Sequence, residues 1–406
     1  MNRRSLLESS ATVAAGAALG GSATPLGAGP ATGGVTLSGH RLTRPLAIAM
    51  WDFSWLERRW PGAGYEEWDQ ALDELMERGY DAVRIDAYPH LVAAGAEHEW
   101  ELLPCWNQHD WGSPARCRVR VQPALNEFIA RCGQRGLFVG LSTWFREDSP
   151  RNLASQIASP EELGQIWKAT LDSIAPELRC HLLYVDFCNE FPQHISTPFL
   201  PEGFKRNSPE GERWMRDSIA PVRRAFPQFS YTFSFATEYD TWREQNIAFL
   251  DFLEPHVWMT VFSDYYQQIG YKWETFDPVG YEKIVAKGEA LYRATPADWQ
   301  SRLEHGIDLI ADWSRTSGKP LITTECWAVV VFKDWPMLNW DWVKDLNELG
   351  VRRAAATGCW AAMATSNFCG PQFKGMWRDI DWHRRLTGVI HRGALPNAAN
   401  FNTHVL

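Results

Sequence analysis

From Arg44 onward the 406-residue chain alternates short apolar runs with longer amphipathic ones, about eight times over. Residues 45–51 (PLAIAMW) read as a strand. Residues 65–79 (YEEWDQALDELMERG) read as a helix with Trp68, Leu72, Leu75 and Met76 on one face and Gly79 as its stop. Strands follow at 81–86, 137–144, 182–188, 231–236, 256–261, 321–324 and 359–364, with helices expected at 122–136, 160–178, 211–226, 299–317 and 342–349. The third helix opens on Ser159-Pro-Glu-Glu162, a capping pattern. Strands buried on both faces and separated by helices require a parallel sheet, because each crossover helix covers one of its faces. About eight such units close on themselves, so the expected fold is a single (β/α)8 TIM barrel over residues 41–406. No G-x-G-x-x-G follows the first strand, which argues against a dinucleotide-binding sheet.

Residues 1–40 are expected to lie outside the barrel. Asn2-Arg-Arg-Ser-Leu-Leu7 precedes a weakly apolar Ala/Gly-rich run, as in a twin-arginine export signal; a disordered tail is the alternative. No later segment has the ~18 consecutive apolar residues of a membrane span. The net charge of −9, without a basic run, excludes an electrostatic footprint for nucleic acid or an anionic membrane. Among the eight cysteines there is no C-x-x-C pair, which removes the common zinc and thioredoxin-like readings. Cys188, Cys326 and Cys359 sit in apolar runs as small buried hydrophobes, and Cys105 with Cys117 is the one pair considered for a disulfide. His90, His98, His109 and Asp110 match no metal-ligand spacing, so neither metal nor cofactor is expected.

In a barrel of this kind the active site lies where the strands end, so polar residues at strand ends are the candidates. Strand four, LLYVDFCNEF, is apolar until it closes on Asn189-Glu190; strand seven, LITTECW, closes on Glu325. One strand-end acid more often caps a helix or pairs with an arginine. Two of them facing one mouth are the parts needed for glycoside hydrolysis, in which one carboxyl protonates the leaving oxygen and the other attacks the anomeric carbon or activates water.

These motifs resemble the paired signature of clan A retaining glycoside hydrolases, nearest to family 5, the cellulase-like enzymes. The resemblance runs from Trp51 to Trp360 by order and spacing of elements. It implies that Glu190 is the acid/base, Glu325 the nucleophile and Asn189 a partner of the sugar 2-hydroxyl. Arg84 in AVRID matches the strand-two arginine that keeps the nucleophile ionised. His256-Val-Trp258 keeps the histidine of the family's His-x-Tyr and lacks its tyrosine, a role that Tyr265 or Tyr266 could fill from the next loop. Trp360 matches the strand-eight tryptophan that floors a sugar subsite, and Ser142-Thr-Trp-Phe-Arg146 stands where the family often has a histidine.

Asp86, two residues beyond Arg84, either bonds sugar hydroxyls or pairs with Arg84. Trp144, Trp258 and Trp327, with Trp51, Asp52 and Glu238, also fall at strand ends, and some of these are expected to touch sugar, a use to which aromatic faces lend themselves. Residues 88–120, rich in tryptophan and without a regular period, are expected to wall one side of the cleft. The expected activity is retaining hydrolysis of a β-linked glycoside or oligosaccharide, exo-acting or pocket-type, with carbohydrate as the partner. A transglycosidase using the same pair and a non-catalytic carbohydrate-binding barrel are the alternatives.

Overall fold

The protein is described by a computed structural model over residues 34–107, 109–272 and 279–396. Its frame is a ring of parallel strands: β1 (Leu46–Asp52), β2 (Ala82–Asp86), β3 (Phe138–Ser142), β4 (Leu182–Asp186), β5 (Tyr231–Thr232), β6 (Val257–Trp258), β7 (Leu321–Thr323) and β8 (Trp360–Met363). Seven of them form one sheet in the order β5-β4-β3-β2-β1-β8-β7. The ring closes through β6, by bridges from Phe235 to Pro255 and from Leu253 to Leu321, and by pairing of Val257–Trp258 with Cys326–Trp327 beyond β7. Closure leaves no unpaired sheet edge, as expected of a (β/α)8 barrel.

Long helices cover the ring: α1 (Trp68–Glu77), α2 (Val121–Gln134), α3 (Pro160–Ser173), α4 (Pro209–Ala225), α5 (Pro296–Ser317), α6 (Asp341–Thr357) and α7 (Ile380–Arg392). The face of α1 that carries Trp68, Ala71, Leu72 and Leu75 is buried, whereas Met76 is exposed. Ser159 Oγ accepts from the Glu162 N–H at 3.2 Å, and the Glu162 carboxylate accepts from the Ala158 N–H at 2.8 Å, so the capping pattern forms as read. Two things differ from the sequence reading: strands five and six are only two residues long, and α7 closes the ring after β8. Between strands five and six, where the sequence reads as no helix, the described chain has a 3-10 turn at Trp242–Glu244.

The domain boundary also moves. Thr36–Leu37 pairs with His40–Arg41 as a hairpin, Ser38 Oγ donates to Leu183 O at 2.7 Å, and Val35, Leu37 and Leu42 pack with Leu46, Ile48 and Ala82. An edge drawn between residues 40 and 41 would cut this hairpin, which belongs to the barrel. The export signal expected at the N-terminus lies outside the described residues. No helix among the described residues is long and apolar enough to cross a membrane.

The stretch 88–120 is more ordered than its sequence suggests. It holds a short helix (Pro89–Gly95) and two strands, Trp100–Leu102 and Cys117–Val119, which with Asp148–Ser149 form an antiparallel sheet. Cys105 and Cys117 are both free thiols, so this segment is not held by a disulfide. A buried ion pair fastens it instead. Arg146, beyond β3, donates from Nε and Nη2 to Glu57 at 2.9 Å each and from Nη2 to Leu103 O at 2.7 Å, while the Tyr88 hydroxyl donates to Glu57 at 2.9 Å. Loops after β1, β2 and β3 thus meet on one carboxylate whose side chain is 0% exposed. Arg146→Ala would strand that buried charge, and a loss of about 3–5 kcal/mol in urea unfolding is expected. A loss under about 1 kcal/mol would mean that the pair behaves as a surface contact.

Candidate active site

Period-two alternation grades the barrel interior from apolar to charged. Ile48, Ala82, Tyr184, Phe252, Ile322 and Ala362 cluster at one end. Two residues further along several strands stand Arg84, Asp186, Glu254 and Thr324, followed by His256. Glu190 and Glu325 lie at the strand ends, 8% and 6% exposed.

The backbone at that end is unusual. Non-glycine residues with left-handed φ follow each of the first five strands: Asp52 (28°), Tyr88 (48°), Phe145 (50°), Glu190 (52°) and Glu238 (61°). Such conformations cost about 1–3 kcal/mol each and persist only where the surroundings hold them. Glu190 is held from both sides. Its N–H donates to Ser234 Oγ at 3.0 Å, the Phe191 N–H to Ser234 O at 2.9 Å and the Asn189 N–H to Thr143 O at 2.9 Å. Ser234 is itself anchored on Asp186, which also accepts from Ser142 Oγ at 2.7 Å.

Arg84, fully buried, organises the acids. Its Nε donates to Asp52 Oδ1 at 2.9 Å, and Nη2 donates to Asp52 Oδ2 at 2.7 Å and to Glu325 Oε1 at 2.5 Å. Nη1 donates to Glu254 Oε1 at 3.3 Å and to His256 Nε2 at 3.2 Å. All five guanidinium N–H groups therefore have an acceptor, and an arginine can only donate. His256 Nε2 must then be the lone-pair nitrogen, which puts the imidazole proton on Nδ1, 2.9 Å from Glu190 Oε1. Burial agrees with a neutral ring, pushing the His256 pKa down to about 4 against the pull of Glu325.

One oxygen of Glu190, one of Glu325 and a His256 ring nitrogen lie within 4.8 Å of one another. This donor set has a metal-like composition. However, the nitrogen facing the acids carries a proton and Arg84 occupies Glu325, so the arrangement suits proton handling better than a cation. Burial pushes Glu190 up to about 8, partly offset by Arg84. It pushes Glu325 up to about 7, opposed by His256 and by the Arg84 contact that Glu190 lacks. Glu325 is therefore the first of the two to ionise. Glu254, which accepts from Thr324 Oγ1 at 2.6 Å, is pushed by burial to about 8.

The other expected residues divide. Asn189 is fully buried beside Glu190, and both side-chain polar atoms lack a protein partner among the described residues. Trp144 lies at the mouth, its Nε1 donating to Asp52 Oδ2 at 2.6 Å and its ring edge-on to Trp106 at 4.7 Å. Trp106 thus carries the 88–120 stretch to the mouth. Trp258 packs edge-on to His256 and donates from Nε1 to Asn367 Oδ1 at 3.2 Å.

Asp86 pairs with neither sugar-facing space nor Arg84: its two oxygens accept the Tyr88 and Trp144 N–H groups at 2.7 and 2.8 Å, tying loops two and three. Trp360 is the first residue of β8, the end remote from the mouth. It is 1% exposed and bonded to Thr323 Oγ1, so it does not floor a subsite. Trp327 is 0% exposed and faces α6, where a Cβ on Gly350 would come within 2.5 Å of it. Tyr265 donates to Gly288 O, and the Tyr266 hydroxyl accepts from the Val331 N–H. His90, His98 and His109 go separate ways, to Arg146 O, to the Trp100 ring and to the Tyr281 hydroxyl.

The roles of two acids were not legible in the sequence. Asp52 was named only as one of several strand-end residues, although its place at the end of a buried strand signalled a partner. Glu254 was missed, and the signal was its position two residues before His256, on the same face.

Residues 48–391 match the family described as sugar-binding cellulase-like. The chain is similar to a crystal structure of a Parabacteroides distasonis protein described as a candidate glycoside hydrolase, at 46% identity and TM-score 0.85 over 89% of this chain and 97% of that one. It shares its fold with a family 5 glycoside hydrolase, a mannosidase of Rhizomucor miehei, at 10% identity and TM-score 0.52 over 89% and 96% of the two chains. No curated protein matches. The chain belongs to the sugar-binding cellulase-like family, a group of glycoside hydrolases of the family 5 type built on the (β/α)8 barrel.

Proposed function

We propose that the protein hydrolyses a β-linked glycoside or oligosaccharide with retention of configuration, Glu325 acting as nucleophile and Glu190 as acid/base. The observation that carries this reading is the asymmetric contact of two close carboxyls, with Arg84 on Glu325 and the His256 N–H on Glu190. Retaining pairs stand about 5–5.5 Å apart, whereas inverting pairs leave about 6.5–9.5 Å for a water. A separation within 4.8 Å between the nearest oxygens favours the retaining geometry.

In the first step Glu325 attacks the anomeric carbon as the glycosidic C–O bond breaks, and Glu190 gives its proton to the leaving oxygen. Because Glu190 Oε1 accepts from His256, the transferable proton belongs on Oε2. Once Glu325 is an ester its negative charge is gone, and Glu190, now ionised, takes a proton from the water that attacks the same carbon as the ester C–O bond breaks and Glu325 leaves as a carboxylate. The orphaned Asn189 amide is suited to a sugar hydroxyl, since an unmet buried polar group costs about 1–3 kcal/mol until a ligand satisfies it.

A pocket closed on one side is supported by the rim. His109 bonds the Tyr281 hydroxyl at 2.9 Å and Tyr281 stacks on Trp335 at 5.4 Å, linking the loops after β2, β6 and β7. Exo action on a short substrate follows from such a rim. The paired arginines near the N-terminus fit export of the folded enzyme, and fractionation of cells expressing the full chain would test that location.

Glu325→Ala is expected to lower turnover of an aryl β-glycoside at least about a thousandfold. Added azide should partly restore it and yield a glycosyl azide of inverted configuration. Retained activity in this variant would remove the pair from its assigned roles, and glycosyl transfer to an added alcohol in preference to water would favour a transglycosidase. The active form needs Glu325 ionised and Glu190 protonated. The rate should therefore fall as Glu325 gains a proton below about 7 and fall again as Glu190 loses one above about 8. A kcat/KM profile with no alkaline limb would speak against Glu190 as the acid.

A further inference from the structure

Asp52 ends β1 where its register against β2 slips between Met50 and Asp52, and its φ of 28° is left-handed. Irregularities of this kind re-aim a side chain. Here the result is a carboxylate 4% exposed on which three hydrogen bonds converge, two from Arg84 and one from the Trp144 indole.

On the reading that Glu325 is the nucleophile, we propose that Asp52 is a positioning residue that fixes the plane of the Arg84 guanidinium, dividing its donors between Glu325 and His256, and that holds the Trp144 indole at the mouth. A guanidinium is planar, so a carboxylate clamped on its Nε/Nη2 edge sets the directions of its other three N–H groups. Those three reach Glu325, Glu254 and His256. Through His256 the same plane selects which ring nitrogen presents a proton to Glu190. Asp52 and Glu325 moreover share Nη2, so each competes with the other for the charge on one nitrogen. When Glu325 becomes an ester, Asp52 is the acid that keeps Arg84 in place for the second step.

Asp52 is faced by Arg84 and Asp86 from β2, Tyr184 from β4, Glu190 beyond β4, His256 just before β6, and Glu325 beyond β7. Its negative charge opposes ionisation of both Glu190 and Glu325. Asp52→Asn is nearly isosteric and tolerates a left-handed backbone. It removes that charge and turns an N–H group toward donors.

The test is the pH dependence of kcat/KM for wild type, Asp52→Asn and Trp144→Phe on one aryl β-glycoside, beside azide rescue of Glu325→Ala. Asp52→Asn should lose about ten- to a hundredfold in kcat, the worth of a charge-assisted hydrogen bond. Both limbs of its profile should move to lower pH, by about one unit. Trp144→Phe should move the acid limb the other way. Relieved of the indole, Asp52 draws harder on Arg84 and leaves Glu325 less of its charge. Opposed shifts support the proposal. A folded Asp52→Asn with unmoved limbs, or the same direction in both variants, overturns it while successful azide rescue leaves Glu325 in its role. If Asp52→Asn does not fold, an unmoved acid limb in Trp144→Phe overturns it. Failed azide rescue overturns the nucleophile reading and this proposal with it.

Discussion

The site depends on one cation whose every donor is used. Arg84 is fully buried, where an isolated charge would be prohibitive, and it is stable there because Asp52, Glu254, Glu325 and His256 together accept all five of its N–H groups. The partners come from the end of β1, from the residues just before β6 and from beyond β7, so one side chain ties the barrel across its width. The same saturation decides chemistry that geometry alone would leave open. It forces the lone pair of His256 toward Arg84 and the proton toward Glu190, and it gives Glu325 a counter-charge that Glu190 lacks. A lysine, with three donors and no plane, could hold neither the tautomer nor the clamp.

Around this cation the backbone is strained on one side of the ring, with left-handed residues after each of β1 to β5. The loops around the short β5 and β6 carry contacts of their own. Tyr239, in the β5–β6 connection, donates to the carbonyl of His256, and Asn207 reaches Glu238 and Thr241 from the loop after β4. Strain at Glu190 is tolerated because Ser234 and Thr143 grip its neighbours from the adjacent strands. The fold's stable parts thereby support the conformations that its reactive parts need.

The frame and the pair of strand-end glutamates were legible in the sequence because both rest on local periodicity. Buried strands read as apolar runs, and a run that ends abruptly on Asn189-Glu190 or Glu325 announces a polar destination. Contacts across the ring were less legible. Trp360 lies in the right strand at the wrong end, a difference of a few residues that periodicity does not resolve, and the polar end of that strand is instead Thr365-Ser366-Asn367. Trp327 lies two residues past Glu325, so strict alternation would give the two one face, yet it packs outward against Gly350 of α6. Asp86 shares a face with Arg84, but the loops after β2 and β3 turn sharply enough for their N–H groups to claim it. Tertiary capture of this kind leaves no mark in the local sequence.

The acids near Arg84 are Asp52, Asp86, Asp186, Glu190, Glu254 and Glu325, and a single guanidinium cannot offset them all as anions. Burial pushes Asp186 to about 6, Asp86 and Glu325 to about 7, and Glu190 and Glu254 to about 8. Glu190 meets the cation only through a neutral imidazole, and Glu254 by a long contact at 3.3 Å. Burial leaves both of them readier to hold a proton near neutral pH than Glu325, which accepts from Arg84 at 2.5 Å. In the proposed mechanism the division of roles between two chemically identical glutamates follows from where the arginine reaches, because one cation sits nearer to one of them.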